Sequence, residues 1–299
     1  MEINIFRSDY TDKKQYSYFY ASDLHIGCAE FDEKRFTEDF TWAVEKNARI
    51  YAQEIFELII PKDNKRYTAG KDKYQVDAHV NATIDEGIKL LTPFVDHIDI
   101  IGIGNHDIAI LKYHGTDPIA FLIRDLNRLR NKKLPAIVHG GYSGFIRQKY
   151  HRNGGQVRFL DTYYNHGQGG VAEVSTGNID LERRKNINTD IIWLQHKHKK
   201  IYSELDTGIG LSPQDNFYER PKQGIITGCY KKNYSFYDIT KSNYRVDYGE
   251  ERSRVTQARG GILLDVEISG DGIITYDMVI RNTKDTGKDI TTKNVIEMS

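Results

Sequence analysis

Four apolar segments of this chain each run directly into aspartate, histidine or asparagine. YSYFYAS precedes Asp23 and His25, IDIIGIG precedes Asn105, VRFLDTYYN precedes His166, and TDIIWLQ precedes His196 and His198. Ligand sites in α/β proteins assemble where strands leave the carboxyl edge of a sheet, so this repetition indicates strands whose ends meet. Amphipathic stretches such as VDAHVNATIDEGIKLL lie between them, with apolar residues at helical spacing. The alternation predicts an α/β architecture.

Several boundaries of these elements can be predicted from local signals. Asp32 is predicted to cap a helix, and Asp117 with Pro118 is predicted to start another through TDPIAFLIRDLNRLRN. NARIYAQ is predicted to be a strand, although AVEKNARIYAQEIFEL could instead form a continuous helix. The chain is strand-rich after Ala136, and SGDG within GGILLDVEISGDGIITYDMVI indicates a hairpin.

Length and composition exclude several classes of protein. The 299 residues suit one large domain or two small ones, and we assign residues 1–285 to a single domain and the polar residues 286–299 to a tail. Lys plus Arg and Asp plus Glu both total 42, so no global field attracts nucleic acid or a membrane. Two cysteines are too few for a disulfide framework, and neither a signal-peptide pattern nor a membrane-length apolar run is found. We therefore expect a soluble cytoplasmic protein.

The residues at the strand ends are of the types that bind divalent metals. Singly, Asp-x-His, Gly-Asn-His-Asp and His-x-His are commoner as caps, turns and exposed strand ends than as functional sites. Together, imidazoles, a carboxylate and a carboxamide oxygen suit Mn²⁺, Fe²⁺ or Zn²⁺. No cysteine lies in the pattern, which argues against a thiolate zinc finger.

These motifs resemble those of the calcineurin-like metallophosphoesterases. SDLHIG, GIGNHD, NHGQGG and QHKH match four of the family's blocks, with Gln195 where the family has glycine. GGYSGFIRQKYHRNGG and the segment that begins TGCYKKNYSFYDI resemble stretches of phage-type members. The resemblance implies a four-layer sandwich of two mixed β-sheets flanked by helices.

The resemblance also implies a site with two divalent ions of manganese, iron or zinc. One ion would be held by Asp23, His25 and His198, and the other by Asn105, His166 and His196. Glu54 would bridge the two ions. His106 would be the catalytic imidazole that contacts phosphate and assists the leaving group, and Asp107 would fix its tautomer.

Glu54 lies where the family has a bridging aspartate. In RIYAQEIFELIIPKD, Gln53-Glu54 replaces the family's Gly-Asp, and Glu57 replaces a second aspartate. Glutamate keeps the charge but moves the carboxylate by about a bond length, whereas metal–oxygen distances tolerate only about 0.2 Å. Three outcomes are open: Glu54 bridges after a small backbone shift, it binds one ion only, or the segment is helical and carries no ligand. We expect a retained site with weaker occupancy of one position and reduced activity.

The resemblance implies a metal-dependent phosphoester hydrolase that uses metal-bound hydroxide. A phosphodiesterase, nuclease or nucleotide phosphatase is preferred, since basic residues and tyrosines collect in segments such as RDLNRLRNKK and HKHKK. Solvated helix faces and loops explain the same residues more simply. Two alternatives stay open: a binding or scaffold protein of the same fold that no longer cleaves, and a protein phosphatase. No membrane partner is expected, and the oligomeric state is left open.

Overall fold

The computed structural model describes residues 1–10, 14–58, 79–152, 155, 157–167, 177–211, 217–232, 259–270, 273–281 and 290–296. In chain order its strands are β1 (Glu2–Tyr10), β2 (Lys14–Ser22), β3 (Arg49–Gln53), β4 (Ile98–Gly102), β5 (Val138–His139), β6 (Ser143–Arg152), β7 (Val157–Asn165), β8 (Ile191–Leu194), β9 (Ile201–Leu211), β10 (Phe217–Ile226), β11 (Ile262–Ile268), β12 (Ile274–Ile280) and β13 (Ile290–Ile296). Its α-helices are α1 (Glu33–Glu45), α2 (His79–Leu91), α3 (Asp107–His114), α4 (Pro118–Leu129) and α5 (Asn178–Glu182), and a 3₁₀ turn covers Thr92–Phe94.

The strands form two mixed sheets. The seven-stranded sheet has the order β13-β12-β11-β2-β3-β4-β5, in which β2 to β5 are parallel and β11 to β13 are antiparallel. The six-stranded sheet has the order β1-β6-β7-β8-β10-β9. Parallel strands place their carboxyl ends on one edge, so β2, β3 and β4 deliver the residues that follow them to the same place.

Aromatic side chains fill the space between the two sheets. The rings of Tyr18 and Tyr51 are stacked at 5.9 Å, and Tyr20 meets Trp193 edge-on at 5.0 Å. These four residues are buried. A buried phenol must find a hydrogen-bond partner, and the Tyr20 hydroxyl lies 3.1 Å from Thr162 Oγ1 of the opposite sheet.

Helices cover the outer face of each sheet. On the seven-stranded sheet, Phe40 of α1 packs edge-on against Phe19 at 5.7 Å within a large buried cluster that also includes α2 and α4. On the six-stranded sheet, Leu181 of α5 lies in a smaller buried cluster with Ile192 and Ile226. The predicted sandwich of two mixed sheets with helices is therefore confirmed.

The helix starts follow the predicted capping residues. The carboxylate of Asp32 accepts a hydrogen bond from the backbone N–H of Arg35, at the start of α1. Asp117 Oδ1 accepts from the N–H groups of Ile119 and Ala120 at 3.0 Å, and Pro118 occupies the first turn of α4. Both carboxylates satisfy N–H groups that have no partner within their helix.

The strand predicted for NARIYAQ is confirmed, and one predicted boundary differs from the structure. Arg49–Gln53 forms β3 and pairs with both β2 and β4, so the alternative of a continuous helix does not occur. Part of the predicted tail, Ile290–Ile296, is instead strand β13, which pairs antiparallel with β12. Its β-branched composition suits a strand, and β12 offers it an unpaired edge. The rest of the tail, residues 286–289 and 297–299, lies outside the described residues.

Other features bear on the remaining sequence predictions. The predicted SGDG hairpin agrees with the antiparallel pairing of β11 and β12. Of the second segment with phage-type resemblance, which begins TGCYKKNYSFYDI, residues 233–258 lie outside the described residues. No helix in the described part of the chain has the length and apolar character needed to cross a membrane. Cys28 and Cys229 are buried free thiols.

Candidate metal centre

Backbone pairing continues past the ends of β2, β3 and β4 and fixes the residues that follow them. The N–H of Asp23 donates to the carbonyl of Gln53 at 3.0 Å, and the N–H of Glu54 donates to the carbonyl of Gly102 at 3.3 Å. From the facing sheet, His166 follows β7 and donates its N–H to the Tyr142 carbonyl. The strand ends of both sheets thus meet at one edge of the sandwich.

Three groups of ligand-type side chains form at this edge, and each group has its ligand atoms within 4.8 Å of one another. Two groups have four residues each, and the third consists of His25, Glu57 and His106. The first group is Asp23, His25, Glu54 and His198, and the second is Asp23, Glu54, His166 and His196. Asn105 joins the second group, since its Oδ1 lies 2.9 Å from His166 Nε2. All seven residues that the sequence assigns to metal are therefore close together. Asp23 and Glu54 belong to both four-residue groups.

The position of Glu54 excludes one of the three open outcomes, a helical segment without a ligand. Glu54 directly follows β3, is fully buried, and is not part of a helix. Its Oε1 accepts a hydrogen bond from the backbone N–H of His106 at 3.0 Å, and its Oε2 lies 3.1 Å from His166 Nε2. Burial opposes ionisation, but His166 and His106 outweigh it and hold the pKa of Glu54 well below its usual value. The side chain is thus a carboxylate aimed into the centre.

The extra methylene of Glu54 fits because the facing residue is glycine. A Cβ on Gly104 would overlap the Cβ, Cγ and Cδ atoms of Glu54. The side-chain amide of Gln53, the other departure from the family pattern, donates to the carbonyls of Ile103 at 2.8 Å and Tyr142 at 3.0 Å. The longer side chains at both positions are therefore accommodated by their surroundings.

We expect Gly104→Ala to displace the Glu54 carboxylate and to weaken metal binding, because no rotamer change of a methyl group relieves the overlap. Overpacking of a buried site costs about 1–3 kcal/mol in the free energy of unfolding. Urea unfolding and calorimetric Mn²⁺ titration would measure the two effects. Gly270→Ala is the control, since a Cβ there meets no atom within 4 Å. Unchanged stability and Mn²⁺ affinity in Gly104→Ala would show that the position of the Glu54 carboxylate does not require a glycine at residue 104.

The backbone at the centre adopts an uncommon conformation. The described non-glycine residues with positive φ are Asp23, His25, Asn47, Glu54, His196 and His198, with φ between 51° and 73°. Five of these six residues belong to the two four-residue groups. Such left-handed residues are uncommon outside glycine and concentrate at sites that the surrounding structure holds in place. The fold therefore presets the direction of these side chains.

The histidine rings present nitrogens toward one another. The Nε2 atoms of His25 and His198 lie 3.1 Å apart, and His198 Nε2 lies 3.3 Å from Asp23 Oδ1. Burial lowers the pKa of His196 to about 4, helped by the nearby His166, so its ring is neutral and able to bind a metal. Burial also opposes protonation of His166, but Glu54 outweighs it and raises the pKa of His166 to about 9. A metal ion at that position would therefore displace a proton.

The carboxylate that contacts His106 is Glu57, whereas the sequence assigned this contact to Asp107. Glu57 Oε1 lies 3.0 Å from His106 Nδ1, and Glu57 Oε2 lies 2.6 Å from His25 Nδ1. Asp107 instead accepts backbone hydrogen bonds from Phe56 at 3.0 Å and Gly104 at 2.9 Å. Burial, together with Glu54, raises the pKa of Asp107 to about 7. Asp107 joins the loops after β3 and β4 rather than orienting the imidazole.

Two further residues at the centre were not assigned a role from sequence. Gln195 Oε1 lies 3.3 Å from His166 Nδ1, which leaves Nε2 of that ring to face Glu54 and Asn105. Lys231 Nζ lies 3.8 Å from Glu57 Oε2. Gln195, which stands where the family has glycine, thus makes a contact that orients the His166 ring. Lys231 lies in the segment that begins TGCYKKNYSFYDI, in which the sequence comparison assigned no site residue.

Several of the basic side chains that the sequence linked to phosphate or nucleic acid are paired with carboxylates. Lys197 is buried and lies 3.2 Å from Asp180 of α5. In RDLNRLRNKK, Arg124 and Arg128 both bind Asp125. These ion pairs favour the simpler interpretation of the basic segments as structural and surface residues.

Comparisons with known proteins give structural similarity at low identity. No protein-family model and no curated protein matches the chain. The chain is similar to a conserved uncharacterized protein of Streptococcus pneumoniae described as a predicted phosphoesterase, with 11% identity, a TM-score of 0.32, and coverage of 94% of this chain and 99% of that one. It is also similar to GAP50, the anchor in the inner membrane complex of Plasmodium, with 11% identity, a TM-score of 0.45, and coverage of 95% and 90%. A hypothetical protein of Thermus thermophilus matches with 11% identity, a TM-score of 0.35, and coverage of 94% and 98%.

Proposed function

We propose that this chain is a metal-dependent phosphoester hydrolase with two divalent cations. The observation that carries the proposal is the pair of ligand groups that share Asp23 and Glu54 at the converging strand ends. The first ion would be held by Asp23, His25 and His198, the second by Asn105, His166 and His196, and Glu54 would bridge them. These residues occur in the motif order that resembles the calcineurin-like metallophosphoesterases.

Buried oxygens in the centre fit this proposal. Asp23 Oδ1 and Glu54 Oε2 are buried, and neither accepts a well-formed hydrogen bond from the residues that the structure describes. A buried carboxylate oxygen without such a partner is costly unless a cation or another donor satisfies it. Ligand atoms about 2.1 Å from one ion and at right angles are about 3 Å apart. The 3.1 Å contact between His25 Nε2 and His198 Nε2 suits this spacing.

Divalent ions held by these residues would supply positive charge that polarises phosphate oxygens and lowers the pKa of bound water. His106 would supply a proton to the leaving oxygen. Burial opposes its protonation, but Glu57 and Glu54 outweigh this effect and raise the pKa of His106, so the imidazolium is available near neutral pH. Its side chain is 17% exposed, so a substrate could reach this ring, whereas the ring of His25 is 1% exposed.

We further propose a phosphodiester or nucleotide substrate, with manganese, iron or zinc as the metal, in the reducing environment of the cytoplasm. The paired basic side chains give no separate support for a long nucleic-acid groove. We therefore prefer a mononucleotide or a short phosphodiester as the substrate over a long nucleic-acid strand.

A metal and substrate panel tests the proposal. The protein is stripped with chelator, titrated with Mn²⁺ or Zn²⁺ in a calorimeter, and assayed with a chromogenic phosphodiester, a phosphomonoester, a phosphopeptide and single-stranded DNA. We expect two ions per chain and hydrolysis of the phosphodiester. Two ions without turnover of any substrate would favour the binding or scaffold protein, and preference for the phosphopeptide would favour a protein phosphatase. Absence of metal binding would contradict the proposed function.

A further inference from the structure

A chain of hydrogen bonds crosses from the six-stranded sheet to Asp23. Trp193 Nε1 of β8 donates to Thr227 Oγ1 at 3.1 Å, and Thr227 Oγ1 lies 2.6 Å from Ser22 Oγ. Ser22 Oγ in turn donates to Asp23 Oδ2 at 2.5 Å. All four residues are at most 1% exposed, so water does not compete for these contacts. We call Trp193, Thr227 and Ser22 the donor relay.

The chemistry of the groups fixes the direction of the donor relay. An indole N–H can only donate, so Thr227 accepts from Trp193. A carboxylate can only accept, so the hydroxyl proton of Ser22 points to Asp23. Ser22 Oγ therefore accepts a hydrogen bond from the Thr227 hydroxyl. Every hydroxyl in the relay has one defined orientation.

The donor relay treats the two oxygens of Asp23 differently. Oδ2 accepts from Ser22 and also from the backbone N–H of His196 at 3.2 Å. Oδ1 accepts no well-formed hydrogen bond among the described residues and lies 3.3 Å from His198 Nε2. Two donors on Oδ2 prevent rotation of the carboxylate about its Cβ–Cγ bond. One oxygen is thus occupied by the protein, and the other is directed toward the ligand groups.

We propose that Trp193, Thr227 and Ser22 are positioning residues that make Asp23 a one-oxygen metal ligand through Oδ1. The proposal rests on the proposed function, because it assigns a purpose to the geometry of a proposed ligand. Its consequence is that metal affinity depends on two hydroxyls and an indole that never touch the ion. Hydrogen-bond partners of metal ligands commonly change affinity about 10–100-fold when they are removed.

Variants of the two hydroxyls test the relay by metal affinity. We expect Ser22→Ala and Thr227→Val each to weaken Mn²⁺ binding about 10–100-fold in calorimetric titration. Thr227→Ser keeps the hydroxyl and should bind within about twofold of the unchanged protein. Thr162→Val is the matched control, because Thr162 is equally buried between the sheets and bonds Tyr20 instead of the relay. Equal losses in Thr162→Val, or none in the relay variants, would overturn the proposal.

A spectroscopic measurement on the unchanged protein avoids any loss of folding in the variants. The chain has two tryptophans, so the indole N–H signals of Trp193 and Trp42 can be assigned by substituting Trp42 with Phe. We expect diamagnetic Zn²⁺ to shift the Trp193 indole signal through the relay and to leave Trp42, on α1, unchanged. Zn²⁺ binding without a Trp193 shift would contradict the relay alone. Absence of any Zn²⁺ binding would contradict the proposed function and, with it, the relay.

Discussion

We expect the Glu54→Gln variant to bind at most one divalent ion and to lose nearly all turnover. The substitution keeps the shape of the side chain and removes the charge shared by both ligand groups. Repulsion between two dications is four times that between two unit charges at the same distance. Removing one partner of a buried charge pair costs about 3–5 kcal/mol, which corresponds to roughly a 10²–10⁴-fold loss of affinity for the second ion.

Metal content measured by mass spectrometry after dialysis, together with the hydrolysis rate, checks this result. Glu86→Gln serves as the control, because Glu86 is also a buried glutamate but lies on α2, outside both ligand groups. That variant should retain two ions and full activity. Two ions in Glu54→Gln would show that the second ion does not depend on the charge of Glu54.

His106→Ala should lower turnover about 10²–10⁴-fold while leaving metal content unchanged. The prediction follows from the separation of roles within the site. His106 does not belong to either four-residue ligand group that shares Asp23 and Glu54, and its Nδ1 is engaged by Glu57. Glu57→Gln should cause a smaller loss, because the amide still contacts the ring without stabilising its charge. Single-turnover kinetics and metal analysis would separate the two effects.

The control for this experiment is His114→Ala, which removes an exposed histidine from the same helix, α3. It should leave both turnover and metal content unchanged. Loss of metal from His106→Ala would contradict the assignment of this ring as a proton donor. It would instead favour the third cluster of His25, Glu57 and His106 as a metal site in its own right.

The site residues that directly follow a strand could be predicted from sequence, because the end of the strand determines where they lie. An apolar run that ends in Asp23 or Asn105 needs only a parallel sheet to bring those residues together. For the segment before Glu54 the sequence predicted a strand but did not exclude a helix, and pairing with β2 and β4 decided between them. Tertiary contacts override local preference in such segments.

The partner of His106 could not be read from its neighbours along the chain. Asp107 is adjacent in sequence, but it turns inward to two backbone N–H groups. Glu57 is remote in sequence and reaches the ring because the loop after β3 passes beside the loop after β4. Side-chain direction at a helix start depends on the backbone path, which the order of residues does not reveal.

The left-handed backbone at five of the ligand-group residues has a consequence for the amount of protein in a cell. Each such residue costs on the order of 1–3 kcal/mol that the rest of the fold must offset, so the metal-free chain should be easily unfolded. Ions that bind the folded state alone would stabilise it by about 2.7 kcal/mol at a concentration 100 times their dissociation constant. Metal starvation should therefore lower abundance through proteolysis before it limits catalysis. Pulse proteolysis with and without Mn²⁺ would test this, and equal cleavage in both would count against it.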